Sequence, residues 1–185
     1  MARVAFIAHC LLNQNAKVEG GALRPAVWEP VLDALREHGY TIRQMPCPEL
    51  AYAGARRFWG VREQFDTPLY RQHCSRLAKL VAAVMAQHVE AEDEVVLVGV
   101  DSSPTMGVDH TCSSPTWGGK PDIGDHDDSR LVEGDGIFID ELGAELAARG
   151  LPMPRATGIT HQMPDHDAGA ERGAVASLTE AGRGR

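Results

Sequence analysis

No stretch of this chain approaches the run of about 18 apolar residues that a membrane-spanning helix needs, so no membrane partner is expected. Positive charge is also short: 18 Lys and Arg stand against 26 Asp and Glu, for a net charge of -8. That balance argues against binding a nucleic-acid polymer through its phosphates, which takes concentrated Lys and Arg. It leaves a single base or nucleoside open. The opening MARVAFIAHC lacks the charged region, long apolar run and small-residue cleavage site of a secretion signal, and a soluble, cytoplasmic protein is expected. In that reducing compartment the four cysteines read as thiols, ligands or catalysts rather than disulfides. Their spacing lacks the close pairs of a zinc ribbon or a bacterial ferredoxin. There is no GxGxxG or Walker loop to cradle phosphates, and no internal repeat.

What the chain does contain suits one domain. Its 185 residues are 43% hydrophobic and 24% charged, enough for a core of ordinary size. Residues 3–9 form a short β-rich apolar run, followed by the polar stretch LLNQNAKVEGG. From Pro25 to His38, Val27, Trp28, Val31, Leu32 and Leu35 recur at helical spacing, and Gly39 stands where a C-terminal cap is expected. A second strand is read over 40–46, giving a β-loop-α-β unit with a right-handed crossover. Residues 48–66 are less regular. A long helix is read from about Pro68 to Val89, with Tyr70, Cys74, Leu77, Val81, Val84 and Met85 along one stripe. EVVLVGV, Glu94 to Val100, has the unbroken apolar character of a central strand buried on both faces. Residues 101–136 read as a long loop, of a length that is usually functional or disordered. A helix over Ile137 to Arg149, a short strand in PRATGIT and a flexible tail from Pro164 complete the reading. The expected fold is α/β: a single Rossmann-like domain over 1–163, mainly parallel sheet with flanking helices, and a tail over 164–185.

Three cysteines sit at or shortly after the ends of apolar runs: Cys10, Cys47 and Cys112. Ligands of open parallel sheets bind outside the carboxyl ends of the strands, where strand order reverses. Three thiols distant in sequence could meet there around a metal or cluster. Cys74, on the helix stripe, reads as a buried structural thiol. In Pro46-Cys47-Pro48-Glu49 two prolines stiffen the turn and hold Glu49 close to the thiol. Glu49 is either a proton carrier beside that site or a solvent-facing residue opening the next helix. Asp101-Ser102-Ser103-Pro104-Thr105-Met106-Gly107 follows the strongest strand, and its hydroxyls, Ser102, Ser103 and Thr105, could hold a polar ring or an anion. Turn formation alone would explain the same composition. GDHDDSR at 124–130 reads as a solvated acidic loop, with His161 a weaker candidate for the pocket and Trp117 a residue that could stack on a flat ring.

Taken together, CLLNQNAKVEG, PCPEL and SSPTMG resemble the motifs of the thiouracil desulfurase family. RFWGVREQFDTPLYRQHC is similar to a connecting segment found in one branch of it. The resemblance covers roughly residues 3–112. It implies a 4Fe–4S cluster held by three cysteines, whose open iron takes sulfur from a thiolated base such as 2-thiouracil, turning C=S into C=O. Carried over, Cys10 and Cys47 match cluster ligands, Glu49 the acidic catalytic residue, and Ser103 the first serine of an SPSCG motif. Met106 stands where that motif has its cysteine, and a neutral thioether is a poor substitute for a thiolate on iron. Cys112 is therefore the expected third ligand, with Ser102 and Thr105 as substrate-binding groups. The alternative is a non-catalytic module on the same fold that has lost the cluster and binds a small metabolite or zinc.

Overall fold

The computed structural model describes residues 1–116, 128–159 and 168–180. Four parallel strands form the main sheet in the order β2-β1-β3-β6: β1 (Arg3–Ile7), β2 (Thr41–Gln44), β3 (Glu94–Gly99) and β6 (Arg155–Gly158). β1 and β3 are central and are buried at Val4–Ile7 and Val96–Val98, whereas β2 is an edge strand with Thr41, Arg43 and Gln44 exposed. Ile7 lies in register with Gln44 on one side and Val98 on the other. The chain leaves β1 toward β2, then returns past β1 to β3. The reversal of strand order therefore falls between β1 and β3.

The main crossover helices are α2 (Glu29–Glu37), α5 (Pro68–Glu90) and α6 (Ile137–Ala148). Right-handed crossovers of opposite direction put α2 on one face of the sheet and α5 and α6 on the other, and α5 packs along α6. The core-facing stripe of α5 is Tyr70, Cys74, Ala78, Val81, Ala82 and Met85; that of α6 is Ile137, Phe138, Ile139, Leu142 and Leu146. Each large side chain buried in this way contributes about 1.5–3 kcal/mol. α2 begins four residues later than its apolar spacing suggests, with Trp28 as its N-cap and Pro30 in its first turn. Short helical turns lie at α1 (His9–Leu12), α3 (Pro48–Ala53) and α4 (Arg62–Phe65), with a 3-10 turn at Gln14–Ala16.

Two expectations need correction. Residues 101–136 are not one long loop: β4 (His110–Ser113) and β5 (Arg130–Glu133) pair antiparallel as a second, two-stranded sheet. The polar composition concealed them because each strand is only four residues long. The stretch read as a flexible tail carries α7 (Ala168–Glu180), which seats Val175 and Leu178 in the core beside α2. Trp28 Nε1 donates a hydrogen bond to the buried Glu171 carboxylate on α7. The expected boundary at 163/164 lies outside the described residues. No described helix is long and apolar enough to cross a membrane.

Candidate functional site

The first wall of the site is built where β1 ends. The Ala8 N–H still bonds the Val98 carbonyl (2.9 Å), and the chain then turns into α1, anchored by fully buried Leu11. Cys10 is the second residue of that turn. Its carbonyl accepts from Nε2 of the buried Gln14 at 2.6 Å. The chain then runs through Ala16 to Lys17, which lines the same pocket as Cys10 and whose charge is felt by that thiol.

The second wall follows β2. Met45 N–H bonds the Ile7 carbonyl (2.8 Å), and Cys47 becomes the N-cap of α3, its sulfur accepting from the Leu50 N–H at 3.4 Å. Pro48 occupies the first helical position, where a missing N–H costs nothing. Glu49 thus falls in the first turn, pointing back over the sheet edge. Its Oε2 accepts from Arg57 Nε at 3.2 Å.

The third wall follows β3. Val100 N–H bonds the Met106 carbonyl at 2.8 Å, closing the loop 101–106 on itself. Gly99 is required there, because a β-carbon would stand 2.4 Å from that carbonyl oxygen. Ser102 has φ +75°, a left-handed conformation that a serine adopts at a cost of about 1 kcal/mol or more. Ser103 Oγ accepts from the N–H groups of Thr105 (3.2 Å) and Met106 (3.0 Å), so this hydroxyl shapes the turn. Thr105, fully buried, donates through Oγ1 to Glu49 Oε1 at 2.8 Å.

These three walls enclose one pocket, with about 570 Å³ of space that is partly open to solvent. Cys10, Cys47, Glu49, Ser102, Ser103, Thr105 and Met106 all line it. It therefore lies at the carboxyl ends of β1, β2 and β3, at the reversal of strand order. Its electrostatics favour protonated thiols. Burial pushes Cys10 up to about 12, the neighbouring Cys47 adds to the rise, and Lys17 opposes it. Cys47 is raised as well, first by burial and then by the Glu49 charge, against the pull of the Leu50 N–H and Arg57. Burial lowers Lys17, while Cys10 pulls it back up. A ligand or metal that drew off the thiol protons would have to overcome that desolvation.

The other expected residues lie elsewhere. Cys74 is fully buried in the core, as its place on the helix stripe suggests. Cys112 sits on β4, opposite Leu131 of β5, and does not line the pocket. The reason is the alternation of a strand: Thr111 turns its hydroxyl to the Ser103 carbonyl (3.1 Å), so the next side chain points to the other face. Trp117, His161 and residues 124–127 of the acidic segment lie outside the described residues. The pocket thus offers two thiols and the thioether of buried Met106. Among the described residues no group of three or more His, Cys, Asp or Glu side chains is gathered for a metal. This donor set does not fit a cluster held by three thiolates.

Among the residues that line the pocket, the sequence reading missed the charged and aromatic groups of Lys17, Arg57 and Trp59. Lys17 lies inside the first motif but carried no spacing signal of its own. Arg57 is one of two adjacent arginines in an irregular segment, and nothing in the sequence tells which turns inward. It is Arg57, whose side chain is 5% exposed; Arg56 is 92% exposed.

A family model described as "Putative 2-thiouracil desulfurase" matches residues 28–119. An uncharacterized protein of Methanocaldococcus jannaschii is 31% identical over 106 residues, which span 57% of this chain and 68% of that protein. A solved structure named as a 4Fe–4S-dependent thiouracil desulfidase, TudS, is similar over 89% of this chain and 95% of its own, with 18% identity and a TM-score of 0.45. The two strand-end segments PCPEL and SSPTMG fall within the matched residues, and the chain belongs to the 2-thiouracil desulfurase family that this model describes.

Proposed function

We propose that this protein removes sulfur from a small thio-substituted heterocycle such as 2-thiouracil, converting C=S to C=O. The observation that carries this reading is the meeting of Cys10, Cys47, Glu49 and the Ser103–Met106 turn in one pocket at the switch point of the sheet. Family membership supplies the reaction class. The overall change is hydrolytic: water adds oxygen to the thione carbon, sulfur leaves as hydrosulfide, and no electrons are gained or lost. Glu49 accepts the proton of the attacking water and returns it to the departing sulfur or to a ring nitrogen. The Ser102 and Ser103 hydroxyls orient the ring, and Trp59, at the pocket's rim, offers a flat face to it. Cys10 and Cys47 bound the part of the pocket that receives sulfur.

A 4Fe–4S cluster enters this reading only as far as Cys10 and Cys47, since two thiols fall short of three. The proton chemistry at Glu49 does not depend on how the sulfur is received. Family membership does not favour the non-catalytic zinc-binding alternative, and the described residues gather no zinc ligand set.

The test is to purify the chain without oxygen, measure its iron, zinc and acid-labile sulfide, and incubate it with 2-thiouracil. Uracil and sulfide should form in equal amounts, and Glu49→Gln should lower kcat by about a hundredfold or more, from the lower end of the range for a positioned acid–base group upward. Absence of turnover with 2-thiouracil, 4-thiouracil and their nucleosides, after reconstitution with iron and sulfide, would overturn the proposal.

A further inference from the structure

We infer that Arg57 is a positioning residue for this reaction, acting through Glu49. The inference rests on the reading of Glu49 as the group that handles protons at the substrate. The Arg57 side chain is largely covered, and its three nitrogens go to three acceptors: Nε to Glu49 Oε2 (3.2 Å), Nη1 to the Gly54 carbonyl (3.0 Å) and Nη2 to the Ala16 carbonyl (2.9 Å). Gly54 caps α3, the helix that Cys47 opens, whereas Ala16 belongs to the loop that carries Cys10. One guanidinium therefore spans the two thiol-bearing segments and still reserves a donor for the carboxylate between them.

The opposite oxygen of Glu49 is held by Thr105 from the third segment. An ionised carboxylate has about four lone-pair sites; two are occupied by these partners, which leaves the others for a group bound in the pocket that Glu49 lines. A carboxylate gripped at both oxygens cannot swing, which is what proton transfer at fixed geometry demands. Two carbonyl contacts would suffice if Arg57 served only to tie the loops. Lysine carries one nitrogen and cannot reproduce the fork.

The test is a cycle of Arg57→Lys, Thr105→Val and the double variant, followed by steady-state desulfuration of 2-thiouracil, uracil binding by calorimetry and thermal melts. Lys keeps the charge and the stem, so Arg57→Lys decides the matter even where Arg57→Met does not fold. Arg57→Lys is expected to lower kcat about tenfold or more, with KM and uracil affinity within about twofold of the parent. The double variant should lose little beyond the worse single one, because both act by freeing the same carboxylate. An unchanged kcat in Arg57→Lys, losses that multiply in the double variant, or uracil binding that weakens in step with kcat would each overturn the inference while leaving the proposed function standing. A wild-type protein that turns over no thio-base overturns the proposed function and this inference with it.

Discussion

Glu49 and Thr105 lie 56 positions apart in the sequence and meet through a hydrogen bond of 2.8 Å, the contact that joins the loop after β3 to the helix after β2. Thr105 is fully buried, and the Glu49 side chain is 13% exposed. Thr105→Val keeps the shape and removes the donor, leaving a carboxylate oxygen under-bonded at a cost of about 1–3 kcal/mol. The melting temperature should fall by several degrees, and desulfuration should slow about tenfold. Thr105→Ser retains the hydroxyl and should keep most of both. Equal losses in the two variants would show that the methyl group, not the hydrogen bond, matters at this position.

Sulfur donors in the pocket come from Cys10, Cys47 and Met106, not from Cys112. Met106→Cys places a third thiol where the family motif has one. It should raise the iron and labile sulfide retained per chain after anaerobic reconstitution, at a packing cost of about 1–2 kcal/mol for the smaller side chain. Cys112→Ser should leave retained metal unchanged. Metal analysis of the two variants beside the parent checks both halves. Loss of metal in Cys112→Ser alone would mean that β4 is remodelled to reach the site.

Much of the sheet was legible because its signals are local. The unbroken apolar run of β3 and most of the expected α5 stripe report burial directly, although Val84 of that stripe is 39% exposed. Cys10, Cys47 and Glu49 could be placed together because strand ends in a parallel sheet share one edge. The parts that escaped depend on side-chain direction or on distant partners. Whether Cys112 faces the pocket is decided by a one-residue alternation on a four-residue strand, which no composition signal fixes. Arg57 and Arg56 are chemically identical neighbours, separated only by which carbonyls await them. α7 was hidden by its Gly and Ala content, and it is seated through Val175, Leu178 and the bond from Trp28.

Stability should also decline in alkali. Burial lifts Cys74 from 9.0 to about 12, with the Glu141 charge adding to the rise. Tyr40 rises from 10.0 to about 12, first through burial and then through its hydrogen bond to Glu94 at 2.6 Å. In both, the folded state holds a proton that the unfolded chain releases earlier. The resulting stabilisation is complete below about pH 9 and is lost as pH rises through 12. Denaturation midpoints measured from pH 8 to pH 11 should fall progressively. The fall should be shallower in Cys74→Ala with Tyr40→Phe than in the parent. Parallel curves would show that other groups govern the alkaline limb.

Gly136 and Gly143 make a contrasting pair on α6. Gly136 is the N-cap, and a β-carbon there would stand 2.3 Å from the Thr105 carbonyl carbon and 2.6 Å from the Met106 nitrogen. Backbone atoms cannot step aside as a side-chain tip can, so Gly136→Ala must push the loop 103–106 away from the sheet. Overpacking of this kind costs about 1–3 kcal/mol, and it moves Thr105 off Glu49, so activity should fall further than the loss of stability explains. Around Gly143 nothing lies within 4 Å of the same added atom. Gly143→Ala should therefore raise stability by about 0.5–1 kcal/mol through helix propensity alone and leave turnover unchanged. Melts and initial rates on the two variants separate the effects. If Gly136→Ala melts and turns over like the parent, the close approach of α6 to the Thr105 loop does not hold the site.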